Sequence, residues 1–137
     1  MLMVRALSLL MGLMIVVWIQ EACAEPETLT LSCDGTLTNM MSTSDSDNKT
    51  EAFTKMGLLV NLAEGTVLGF TPAARIKKTD AVSVEFAGEI GGASVSGTID
   101  RITGSVLAST YTYNASLKRI IASNNWDMHC KPTKRVF

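Results

Sequence analysis

Residues 81–113 read AVSVEFAGEIGGASVSGTIDRITGSVLASTYTY, and this stretch decides the fold. Apolar residues alternate with small or polar ones, first at Val84 and Phe86 and, after a pair of glycines, at Val95 and Ile99. A period of two places one face of a strand on a core and the other in water. The stretch therefore predicts three consecutive antiparallel strands.

The turn between the second and third of these strands is expected at Asp100 to Gly104. An aspartate at the start of a turn accepts hydrogen bonds from backbone amides just ahead of it, and a glycine at the end adopts positive φ without steric cost. Both residues stand where a tight hairpin needs them. We therefore predict a compact hairpin tip here.

The first 24 residues have the pattern of a secretory signal peptide. Arg5 is followed by an apolar run from Ala6 to Ile19 and by the small-residue site Ala22 to Ala24. The run is shorter than the roughly 20 apolar residues of a spanning helix. We predict cleavage before Glu25, a periplasmic or secreted protein, and no membrane span.

Lipidation of Cys23 is the alternative way of processing this leader, but Gln20 and Glu21 stand unfavourably close to such a site. Cleavage before Glu25 would leave residues 25–137, a length that suits a single domain with one modest core.

Charge gives no indication of a polyanionic partner. The chain has a formal net charge of -1, and the leader removes one arginine and one glutamate, so the balance is unchanged. A basic face of the kind that binds nucleic acid is not visible in the sequence. We predict no nucleic-acid partner, and a monomer that binds an unknown protein or small ligand.

Two cysteines remain after the leader, Cys33 near the start and Cys130 near the end. In an oxidising compartment they are expected to form a disulfide. Because bonded cysteines need Cα atoms within about 7 Å of each other, the first and last strands must lie together. The sequence thus predicts an all-β domain of seven or eight antiparallel strands, a small barrel or sandwich whose ends are joined by the disulfide.

Segments outside the central meander give more local predictions. Residues 53–70 are interpreted as a hairpin with its turn at Glu64-Gly65, although a helix is the competing interpretation of the first half. The polar segment 39–51 is predicted to be a mobile loop. Residues 75–79 are predicted to form a short edge strand protected by its lysine pair.

Catalytic residues are hard to find in this sequence. His129 is the only histidine, and it should face outward because its neighbour Cys130 faces inward. One histidine supports neither a Ser-His-Asp triad nor a metal site built with the two cysteines. Among the carboxylates of the meander, Glu85 should face solvent and Asp100 should cap a turn. We predict no catalytic residue, no metal, no cofactor and no enzymatic activity.

Binding residues have better candidates. Asp100 and Arg101 lie at a predicted hairpin tip, and Trp126 lies on the predicted closing strand. Arginine and aromatic residues are over-represented at interface hot spots, so these three are the possible binding residues. Strand alternation, however, predicts that Trp126 lies on the inner face with Met128 and Cys130, where it would pad the core or its rim instead of forming a binding site.

Four motifs carry a resemblance to a known group of proteins: LSCDGT at 31–36, MGLLVNL at 56–62, GTIDRITG at 97–104 and CKPTKRVF at 130–137. Together they resemble small secreted proteins of soil and plant-associated proteobacteria, with an N-terminal cysteine strand, a GxIDRxTG hairpin and a C-terminal CKP tail. The resemblance implies export and a bonded Cys33 and Cys130. It implies no activity, because none is assigned to that group.

A looser likeness connects the chain with bacterial periplasmic inhibitors of lysozyme, small β-barrels whose near-terminal cysteines are bonded. Their inhibitory Ser-Gly-x-x-Tyr type loop is not present in this sequence. We therefore expect an exported, non-enzymatic envelope protein with a binding or structural role. The alternatives are a secreted inhibitor of a hydrolase, favoured by a filled core with a protruding loop, and a lipocalin-like carrier, favoured by an internal cavity.

Overall fold

A computed structural model describes residues 28–41 and 48–133, which form eight antiparallel strands and a closed barrel. In chain order the strands are β1 (Thr28–Met41), β2 (Lys49–Asn61), β3 (Thr66–Leu68), β4 (Ala74–Thr79), β5 (Ser83–Ile90), β6 (Ala93–Asp100), β7 (Ser105–Asn114) and β8 (Arg119–Pro132). Each strand pairs with the next, and β8 pairs with β1. The all-β prediction is confirmed, and the closed ring identifies a barrel rather than a sandwich. The predicted signal peptide lies outside the described residues.

The predicted disulfide joins the two ends of the meander. Cys33 of β1 and Cys130 of β8 are direct partners in the ladder, and their Cα atoms are 4.0 Å apart. Both residues are buried in the core. The bond therefore fastens the ring at the seam where the first strand meets the last.

The interior of the barrel is filled by apolar side chains that alternate along the strands. Phe86 of β5 stacks on Phe70 with ring centroids 5.5 Å apart, and Trp126 of β8 meets Phe70 and Phe53 edge-on at 5.8 and 5.6 Å. Offset and edge-on arrangements are the favoured geometries for aromatic rings. The prediction that Trp126 faces inward with Met128 and Cys130 is confirmed, since all three pack in or against the core.

The central meander follows the sequence prediction. Its three strands are β5, β6 and β7, and the turn after β6 is held by Asp100 Oδ1, which accepts hydrogen bonds from the amides of Ile102 and Thr103 at 2.8 and 2.9 Å. Gly104 has a φ of 77°, the left-handed conformation that favours glycine. Local turn chemistry and the period of two were sufficient to locate this hairpin.

The structure corrects the prediction for segment 39–51 and confirms the hairpin predicted for residues 53–70. The segment 39–51 is not a loop at its ends, because residues 39–41 continue β1 and residues 49–51 begin β2. The helical alternative for the first half of 53–70 fails because those residues complete β2, while the turn at Glu64-Gly65 is confirmed. In both segments, pairing with β1 outweighs the local sequence signal, which suggested a loop in the first segment and a helix in the second.

The prediction of an edge strand at residues 75–79 needs a correction. These residues lie in β4, but β4 pairs with β3 on one side and with β5 on the other. Because the ring is closed, the lysine pair does not protect a free edge. Nζ of Lys78 instead lies 3.8 Å from Oδ2 of Asp80 and 3.9 Å from Oε1 of Glu85. Both ion pairs are exposed to solvent, so they contribute little to stability.

Two turns should give the fold a measurable dependence on acid. Amide hydrogen bonds from Val82 and Ser83 lower the pKa of Asp80 below 3.8, and those from Thr103 and Ile102 lower the pKa of Asp100 in the same way. A carboxyl whose pKa is lower in the folded state stabilises the fold above its unfolded pKa, and this contribution is lost as the pH falls through the folded pKa.

We expect the free energy of unfolding to fall below about pH 4, and to fall less steeply in the variant Asp80→Asn/Asp100→Asn. Asparagine keeps an acceptor oxygen but does not titrate. Urea midpoints measured between pH 7 and pH 2.5 test this. The control variant Glu64→Gln/Glu89→Gln changes the net charge equally, and an identical flattening there would contradict the assignment to the two turns.

Candidate binding site

His129 lies on the outer wall of the barrel, as its place next to Cys130 predicted. It is exposed, and its cross-strand partners are Asp34 of β1 and Ser105 of β7. The register thus places a serine, a histidine and an aspartate in one row, which the sequence analysis missed because the three residues are far apart in the chain. Asp34 Oδ1 already accepts a hydrogen bond from the backbone amide of Lys55 at 2.8 Å. Asp34 and His129 are both exposed on the outer wall.

The described residues contain neither a cluster of metal-ligating side chains nor a membrane-spanning helix. No three His, Cys, Asp or Glu side chains of residues 28–41 and 48–133 are placed to hold a metal ion. Within these same residues, no helix has the length and apolar character needed to span a bilayer.

The three predicted binding residues lie in different places. Asp100 and Arg101 border a depression of about 240 Å³ at the end of the barrel where Leu29, Leu31 and Val60 also lie. The Arg101 guanidinium donates to the backbone oxygen of Asp80 at 2.5 Å, which joins two neighbouring turns. Trp126 does not border this depression. The hairpin tip and the tryptophan therefore do not form a common site.

Trp126 instead borders an apolar pocket of about 390 Å³, together with Leu37, Phe53, Met56 and Glu51. Its indole Nε1 is buried without a hydrogen-bond partner among the described residues. A buried donor without a partner costs free energy, so an acceptor that reached this atom would be favoured. The largely apolar lining of the pocket is suited to a small apolar molecule.

A larger depression, of about 730 Å³, lies on the outer wall of the barrel, and we call it the outer groove. Two rows of outward-facing residues border it, each running from β5 across β6, β7 and β8 to β1. The first row is Glu85, Thr98, Leu107, Asp127 and Thr36, and the second row is Ala87, Ser96, Ser109, Asn125 and Thr38.

The outer groove has the dimensions of an extended chain. Four strand spacings separate β5 from β1, so the groove is about 19 Å long, and two residues along each strand make the rows about 7 Å apart. Its floor lies between the rows, at the inward-facing positions Phe86, Gly97, Ala108 and Trp126.

Gly97 explains why the wall is depressed here. A Cβ at this position would lie 2.5 Å from Cζ of Phe86 and 2.6 Å from the backbone oxygen of Leu107. The backbone of β6 therefore approaches the ring of Phe86 more closely than any residue with a side chain permits. Ala87, Ser96 and Ser109 on the outer side are small, so the depression stays open to solvent.

The outer groove is polar and carries charges of both signs. Hydroxyl groups dominate its rows, with Lys77, Glu85 and Asp127 as the charged members. Ser109 Oγ donates to Asn125 Oδ1 at 2.8 Å, so the Asn125 amide is held by its oxygen and keeps its N–H donors for another partner. Leu107 is an apolar exception in the middle of the first row, with 57% of its surface exposed.

The sequence analysis did not identify the outer groove. Strand alternation indicated that Ser96, Thr98, Ser109 and Asn125 share the outward face, but their grouping depends on the register between strands. The one local signal was Gly97, a glycine inside an otherwise regular strand. Comparisons of the chain with protein-family models, curated proteins and solved structures find no significant match.

Proposed function

We propose that this protein is an exported, non-enzymatic envelope protein that acts as a monomer and binds its partner through the outer groove. The observation that carries the proposal is the open, polar depression of about 730 Å³ on the wall, which is larger than the depressions of about 390 and 240 Å³ that core side chains border. Aromatic rings of Phe70, Phe86 and Trp126 occupy the middle of the barrel, where a lipocalin-like carrier would hold its ligand.

Export is supported by two further observations. The buried disulfide between Cys33 and Cys130 is a bond typical of oxidising compartments. The leader pattern of residues 1–24 and the resemblance to small secreted proteobacterial proteins agree with it. The absence of activity is supported by the open setting of the Ser105, His129 and Asp34 row, since an activated nucleophile needs an enclosed and ordered site.

A carrier of a small apolar ligand is the second candidate, and the pocket beside Trp126 favours it. Its volume of about 390 Å³ falls within the usual range of ligand sites, and its lining is largely apolar. The inhibitor alternative needs a protruding loop. The hairpin tip at Ile102, with 74% of this side chain exposed, is its best candidate among the described residues.

Native mass spectrometry of the protein purified from the periplasm tests the proposal. We expect a monomer that begins at Glu25, is lighter by two hydrogens than the reduced chain, and carries no apolar ligand. The mass should stay the same after incubation with a fluorophosphonate, which labels activated serines. An unprocessed leader or free thiols would contradict export, labelling at Ser105 would contradict the absence of activity, and a bound apolar molecule would favour the carrier.

A further inference from the structure

We infer that the ligand of the outer groove is a neutral, extended glycan chain. This inference rests on the proposed surface-binding function and specifies its ligand class. It follows from three properties of the groove: its extended course across five strands, the kind of hydrogen-bonding groups along it, and its charge balance together with an exposed apolar side chain at its centre.

Shape is the first property. The outer groove crosses five strands along the curved wall of the ring, between two bordering rows of residues about 7 Å apart. A chain of linked sugar rings fits such a course, whereas a compact small molecule would contact only part of it. A peptide that adds a strand to a sheet needs an unpaired edge, and the described barrel is closed.

Hydrogen-bonding chemistry is the second property. The rows offer hydroxyl groups from Thr36, Thr38, Ser96 and Thr98, and each hydroxyl both donates and accepts. Sugar hydroxyls have the same dual character, so the two sets are complementary in any local orientation. The amide of Asn125 adds directed donors, because Ser109 occupies its oxygen.

Charge and apolar surface are the third property. Glu85 and Asp127 lie in the first row on either side of Leu107, while Lys77 also borders the groove and Lys78 lies 3.9 Å from Glu85. The nearly balanced charge offers no attraction for a polyanion such as nucleic acid or an acidic polysaccharide. The exposed Leu107 offers an apolar surface against which the C–H face of a sugar ring can pack. A neutral glycan uses both kinds of surface, while an apolar ligand would leave the hydroxyl rows unpaired.

The test is a titration of the mature, oxidised protein with four probes, followed by amide NMR: cellohexaose, chitohexaose, the acidic oligogalacturonate of equal length, and a neutral serine-rich hexapeptide. We expect at least one neutral hexaose to shift the amides of Ser96, Ser109 and Asn125, and the oligogalacturonate to bind at least tenfold more weakly. The spectrum of each variant also reports whether it is folded.

Variants connect the binding to the groove. Asn125→Ala and Leu107→Ala should each weaken binding of the neutral hexaose about three- to tenfold, the factor expected for one lost contact. Ser109→Ala should weaken it less, because it releases the Asn125 amide without removing it. The matched control is Leu68→Ala, since Leu68 is an exposed leucine of β3 outside the groove, with 42% of its surface accessible.

The outcomes separate the glycan inference from the proposed function. Binding of a neutral hexaose that Asn125→Ala and Leu107→Ala leave unchanged would overturn the inference. Binding of the hexapeptide or the oligogalacturonate in the groove, in place of the neutral hexaoses, would also overturn it, while surface binding would stand. If no probe shifts the groove amides at millimolar concentration and the purified protein carries an apolar ligand, both proposals fail.

Discussion

The variant Cys33→Ala/Cys130→Ala is expected to lose about 4 to 5 kcal/mol of unfolding free energy relative to the oxidised protein, by the chain-entropy relation for a long loop. The two cysteines are 97 residues apart, so the bond restricts nearly the whole barrel in its unfolded state. Since domains of this size have about 5 to 15 kcal/mol in total, the variant should be close to unfolding at room temperature.

Urea unfolding measures this effect directly. Trp126 is the only tryptophan of residues 25–137, and its contacts with Phe53 and Phe70 make its fluorescence a report on the core. The wild-type protein with its disulfide reduced is the control, because it keeps both sulfur atoms in the core. A loss below about 1 kcal/mol in both samples would show that the β1–β8 ladder closes the ring without help from the bond.

Phe86→Ala is expected to lower the unfolding free energy by about 3 to 5 kcal/mol, the usual cost of removing a buried aromatic ring. Phe86 is 2% exposed and stacks on Phe70, so its removal leaves a cavity in the middle of the barrel. The control Leu107→Ala changes an exposed side chain on the outer face of the same wall and should change stability by no more than about 0.5 kcal/mol.

A double-mutant cycle tests whether the stability effects of changing Phe86 and Gly97 depend on each other. Such a dependence is expected if the depression in the wall forms because Gly97 packs against the Phe86 ring. Gly97→Ala alone should cost about 1 to 3 kcal/mol, because its Cβ would lie 2.5 Å from the Phe86 ring. In a Phe86→Leu background the same change should cost at least about 0.5 kcal/mol less. Additive effects would mean that Gly97 is required only by its contact with the backbone of Leu107.

Much of the fold was predictable because it depends on short-range patterns. Alternation defined β5, β6 and β7, the Asp100 turn chemistry located one hairpin, and two cysteines behind a predicted leader indicated ring closure. The inward position of Trp126 followed from its spacing to Cys130. These signals are written in neighbouring residues, or in a pair of residues whose chemistry leaves few alternatives.

The outer groove was not predictable for a physical reason. Its rows join residues from five strands, and which residues become neighbours depends on the register of each pair. Register is set by the packing of the whole barrel, including the approach of Gly97 to Phe86, and not by any single strand. For the same reason the row of Ser105, His129 and Asp34 is invisible in the sequence, and the polar ends of segment 39–51 resembled a loop.

The seam between β1 and β8 has a consequence for the order in which the barrel is completed. A growing chain delivers β1 first, yet one of its two ladders has no partner until β8 arrives, 97 residues after Cys33. Throughout that interval β1 presents a bare strand edge and an unpaired thiol, the features that lead nascent chains into aggregates and mixed disulfides. Assembly of this protein is therefore most vulnerable just before its last strand is delivered.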